Sequence, residues 1–65
     1  MKIIIIRSEP VGTCVDIADG ATAISNESGR VAVLYMSQGC KDGGVELGDG
    51  DTYVGAVVHS YKLAS

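Results

Sequence analysis

Four consecutive isoleucines, Ile3 to Ile6, stand near the start of a 65-residue chain. Each is β-branched, loses χ1 freedom against a helical turn and packs well on a pleated surface. The run therefore reads as a strand over residues 2–7. An unbroken apolar run also implies burial on both faces. Ser8-Glu9-Pro10 ends it, because Pro10 has no N–H for a ladder. A chain this short forms one domain, residues 1–65, and buries only about 60% of the surface its unfolded form exposes. With no Trp, no Phe and three Tyr, the usual large core-fillers are missing, although 46% of residues are hydrophobic. These figures exclude a multidomain enzyme, a full βαβ nucleotide-binding array and a disordered acidic tail.

The rest of the chain carries period-2 patterning. In residues 11–18, Val11, Thr13, Val15 and Ile17 alternate with Gly12, Cys14, Asp16 and Ala18. Asp19-Gly20 then separates this run from Ala21-Thr22-Ala23-Ile24-Ser25, a spacing that predicts a hairpin with a type I′ turn. Asn26-Glu27-Ser28-Gly29 predicts a second turn. Arg30 to Met36 is another run apolar on both faces. Residues 37–52 hold five of the nine glycines and read as two turns around a short strand, Val45-Glu46-Leu47. The last run, Thr52 to Leu63, is long enough to bend and serve two parts of a sheet, with Gly55 marking a bulge. No segment has a capped helical stripe.

The expected fold is all-β: a small antiparallel meander of about five or six strands, forming an open barrel or a strongly twisted sheet. Three strands that look apolar on both faces, near 2–7, 30–36 and 53–63, need more cover than one small sheet supplies. A homo-oligomer is the simplest source of it, and Ile4, Ile6, Leu34 and Val58 are the residues this reading places at an interface.

Five Lys and Arg oppose eight Asp and Glu, a net charge of −3. The cations are scattered, which argues against a nucleic-acid partner. Asp42, Glu46, Asp49 and Asp51 fall within ten residues, with only Lys41 beside them. The plain reading is a solvated loop; the sharper one is an acidic patch that engages another protein through a basic surface. The N-terminal apolar run is too short for a signal peptide, and no stretch is long enough to span a membrane. A soluble, cytoplasmic protein with no membrane partner is the expectation. For Cys14 and Cys40 it is buried free thiols, with a single disulfide as the alternative.

Candidate chemistry is sparse. His59, the single histidine, would need Cys14 or Cys40 as nucleophile and Asp16 to orient it. Asp49-Gly50-Asp51 has only part of a calcium-loop pattern, and one His with two Cys makes no zinc spacing. The Gly-rich segment with Lys41 offers a backbone nest for an anion. No cofactor, metal or enzymatic activity is expected. The leading reading is a non-enzymatic protein-binding module, a small inhibitor or accessory protein of the size phages and mobile elements encode. The alternatives are a binder of a small anion or nucleotide, with a subunit-interface pocket lined by Lys41, Gly43, Gly44, Tyr53, His59 and Tyr61, and a structural subunit of a larger assembly.

Overall fold

The computed structural model describes residues 3–64, which form five strands: β1 (Ile3–Ile6), β2 (Val15–Asn26), β3 (Val31–Ser37), β4 (Lys41–Leu47) and β5 (Thr52–Ala64). Lys2, which the sequence places in the first strand, lies outside the described residues. The strands make one open sheet in the order β1-β2-β5-β3-β4. The protein is all-β, as expected, but the sheet is mixed rather than an antiparallel meander. β1 runs parallel to the end of β2, pairing Ile3 with Ala23 and Ile6 with Asn26. The other pairings are antiparallel.

The reason lies at Asp19-Gly20. Both residues have positive φ, 67° and 71°, but the chain does not reverse there. They belong to a bulge inside one long strand. Between Asp16 and Ala21, β2 advances five residues while β5 goes from Ser60 to Val58; between Ala21 and Ala23, β5 takes the extra residues. The two bulges bend both strands, as extra unpaired residues do. β2 therefore pairs its first part with the end of β5 and passes its second part between β1 and the start of β5. The predicted bend in the last strand, serving two parts of the sheet, is seen here.

Bending wraps one face around a small core. Ile6, Ile24, Leu34, Leu63 and Val58 are its largest fully buried apolar side chains, joined by Ile17, Ala21, Ala32, Leu47 and Tyr61. Three of the proposed interface residues, Ile6, Leu34 and Val58, are thus core residues of the single chain, and Ile4 packs against that core. The expected short strand at 45–47 extends back to Lys41, and the strand expected from residue 11 starts at Val15.

The connection of residues 7–14 is tied to the sheet at two points. Gly12 N donates to Leu63 O at 2.9 Å, and Cys14 forms a disulfide with Cys40 in the β3–β4 hairpin, across 26 residues of sequence. The expectation of two buried free thiols is therefore overturned: the crossover brings Cys14, exposed to solvent, onto the hairpin loop. Closing a loop of that length is worth about 3.5 kcal/mol in the chain-entropy account, a large share of a small domain's stability.

Gly20 shows how tight the bulge is. A Cβ there would lie 2.3 Å from Val57 Cγ1 and 3.0 Å from His59 Cε1. Gly50 also has positive φ but faces open space. Gly20→Ala should therefore cost about 2–3 kcal/mol or more, combining left-handed strain with a clash, and Gly50→Ala about 1 kcal/mol from the strain alone. Equal shifts of the urea midpoint in the two variants would show that nothing packs closely on Gly20.

Candidate binding surface

Three features stand out on the surface: the acidic segment, the Gly-rich hairpin and the two free edges of the sheet. The acidic residues follow one edge. Asp42 and Glu46 are exposed on β4, and Asp49 and Asp51 are exposed in the turn after it. Three of the four have local work. Asp42 accepts a hydrogen bond from Ser37 Oγ at 2.8 Å. Asp49 Oδ1 accepts one from Gly29 N at 2.8 Å. Asp51 donates its N–H to Gly48 O at 3.1 Å, and its carbonyl accepts from Asn26 N at 2.9 Å. Asp49-Gly50-Asp51 is thus a tight turn joining β4 to β5. Glu46 lies opposite Val33, its side chain in solvent.

The hairpin amides are already engaged. Gly39 N donates to Asp16 Oδ1 at 2.8 Å. Cys40 N donates to the buried Ser60 Oγ at 2.9 Å, and that hydroxyl donates to Ser37 O. Cys40 Sγ rests 3.4 Å from Tyr61 O; a disulfide sulfur has no proton to donate, so this is a contact only. Asp16 and Ser60 thus take two of the amides that a nest for an external anion would use. Gly43 and Gly44 sit further along, at a bulge where Tyr35 pairs with Gly43 and Leu34 with Val45.

The aromatic members of the candidate ligand site are spread along β5, whereas Lys41, Gly43 and Gly44 lie on β4. Tyr53 is at the start of β5, opposite Ile24, and donates its hydroxyl to Ala56 O at 3.0 Å. His59 is half-buried, its ring filling the space over Gly20. Tyr61 is buried at the far end of β5, opposite Leu34 and Val15. The nucleophile imagined for His59 is not available either, since both cysteines are in the disulfide and Asp16 is turned to Gly39. Among the described residues, no three His, Cys, Asp or Glu side chains converge as a metal site would need.

The outer face of β1 is not legible in the sequence. Directly paired strand residues share a face, so Ile3, Ala23 and Val54 form one row and Ile5, Ser25 and Thr52 the next. Ile3 is 62% exposed, Ile5 45% and Val54 77%. The alternation of Ile3 and Ile5 with Ile4 and Ile6 was available in the sequence, but four identical residues give no sign of which pair faces out.

Tyr61 donates its hydroxyl to Glu9 Oε2 at 3.2 Å. Burial pushes its pKa from the ordinary 10.0 up to about 12, helped by the Glu9 charge and that hydrogen bond. The fold therefore favours the neutral phenol. The stability it contributes is complete below pH 10 and is lost as pH rises towards 12. Thermal melts across that range should fall less steeply for Tyr61→Phe than for the wild type; parallel curves would refute the assignment.

No family model, curated protein or solved structure matches this chain, so the reading of its function rests on its geometry.

Proposed function

We propose that the chain is a non-enzymatic protein-binding module, a small inhibitor or accessory protein, whose acidic edge meets a basic partner. The observation that supports this reading is the placement of Asp42, Glu46, Asp49 and Asp51 along β4 and the turn that follows it, with six of the seven β4 residues exposed. Carboxylates spread along an exposed edge steer a basic surface towards it and fix its register more than they add affinity. The net charge of −3 works in the same direction.

Among the described residues, no helix is long and apolar enough to cross a membrane. The cytoplasm was the expected location, but the Cys14–Cys40 disulfide favours an oxidising compartment, where such bonds form and persist.

Glu46 is the residue to test, because it is exposed, whereas the carboxylates of Asp42 and Asp49 hold local hydrogen bonds and Asp51 lies in the turn that the Asn26 and Gly48 backbone bonds hold. Used as bait on an extract of the source cells, Glu46→Lys should retain the partner at least about tenfold less than the wild type, with an unchanged melting temperature. Raising the salt to about 0.5 M should weaken wild-type capture in the same way. Capture of the same partner by both baits, indifferent to salt, would reject the acidic edge as the contact.

A further inference from the structure

The two edges of the sheet are built differently. β4 carries Lys41, Asp42 and Glu46, and Asp42, Gly43 and Gly44 all have positive φ around its bulge. Charges and bulges of this kind stop a strand edge from pairing with another chain. β1 has none of these devices: it is four isoleucines, without charge, proline or bulge, at the other end of the strand order.

The backbone of β1 fixes what can pair with it. Glu27 N donates to Ile6 O at 2.8 Å, in register with the parallel pairing of Ile6 and Asn26. In a strand the N–H and C=O of one residue point to the same side, and successive residues alternate. Ile6 and Ile4 therefore bond to β2, and the backbone groups of Ile3 and Ile5 point away from the sheet. On the same two residues, the side chains lie on the exposed outer face.

We propose that β1 pairs antiparallel with β1 of a second copy of this chain, about a two-fold axis passing through Ile4. The register that uses every outward group of β1 places Ile3 opposite Ile5 of the second copy, Ile5 opposite its Ile3, and Ile4 opposite its Ile4. Each of the two outer pairs exchanges both N–H···O bonds. A two-fold axis normal to the sheet keeps like faces together. The row Val54, Ala23, Ile3 then continues into Ile5 of the partner, and the exposed isoleucines of both copies form one apolar strip. The result is a ten-stranded sheet. It is closed, because the edges left over are the charged, bulged β4 strands, so pairing stops at two copies. Four residues per copy is a small contact, below the standard interface size, so the dimer is weak, with a Kd on the order of 10–100 µM. The acidic β4 edge stays free in this arrangement, so self-pairing and binding of a basic partner stand or fall separately.

Ile5→Pro provides the test. Its N–H points outward and serves no bond within the monomer, and proline fits the extended backbone of an edge strand. The variant should fold, with the far-UV circular dichroism of the wild type, and lose the dimer. Ile5→Lys, at the same exposed position, is the second variant. Sedimentation equilibrium from about 5 to 500 µM should show the wild type passing from monomer to dimer and no further, with Kd raised at least about tenfold in both variants. A wild type still monomeric at the highest concentration would overturn the proposal, as would a ladder of larger species or a dimer that survives both substitutions. Should Ile5→Pro fail to fold, the inward and outward assignment of the β1 amides is itself wrong, and the proposal fails with it.

Discussion

The fold depends on one buried amide. Asn26 is fully buried at the point where β2 ends, and its side chain meets all four of its hydrogen-bonding positions. Nδ2 donates to Arg30 O at 2.7 Å and to Leu47 O at 2.9 Å. Oδ1 accepts from Ser28 N at 3.0 Å and Ser28 Oγ at 2.7 Å. Its backbone carbonyl accepts from Gly50 N at 2.7 Å. One residue thus ties the β2–β3 turn, the end of β4 and the turn into β5 to a single point. A buried amide in this position is costly if any partner is lost, since an unsatisfied group bears its full desolvation penalty. In a core without Phe or Trp, such a network specifies register where packing alone would specify it weakly.

Placement of Asn26 has consequences for both edges. It sets the end of β2 against β1, so that Ile6 enters the core and its carbonyl accepts from Glu27 N. That choice of parity turns Ile3 and Ile5 outward. On the other side, the hold on Leu47 O and the Gly29–Asp49 bond anchor the end of β4 and the acidic turn. The opposite end of the sheet is held by a second device. There the Cys14–Cys40 disulfide, Asp16 and Ser60 fasten the crossover, β2 and β5 to the hairpin loop. With an amide network at one end and a covalent bond at the other, the middle can be built from small side chains.

Much of the β character was legible because β-branched runs and period-2 alternation are local signals. Arg30 to Met36 and Thr52 to Leu63 carry those signals directly, and both strands lie close to where the alternation puts them. Asp19-Gly20 misled because its left-handed backbone suits a hairpin turn and a bulge equally well; the choice is made by Val57 and His59 packing on Gly20, which are far away in sequence. The parallel pairing of β1 was hidden for a similar reason, since nothing in Ile3 to Ile6 says which strand lies beside it. The cysteines lie in separate runs, and nothing local in either run says that the crossover returns to the hairpin. Asn26 looked like an ordinary turn residue, and its four side-chain bonds depend on contacts that no local pattern encodes.

Hydrogen exchange followed by NMR, at a concentration low enough to keep the chain monomeric, tests this dependence most directly. Both Asn26 side-chain amide protons should exchange as slowly as the core amides of Ile24 and Leu34, because releasing them requires unfolding the sheet. The amides of Ile4 and Ile6 should be protected as well, while those of Ile3 and Ile5 exchange freely. Rapid exchange of the Asn26 amide in a protein whose core amides stay protected would contradict it, since the sheet would then stand without the network said to set its register.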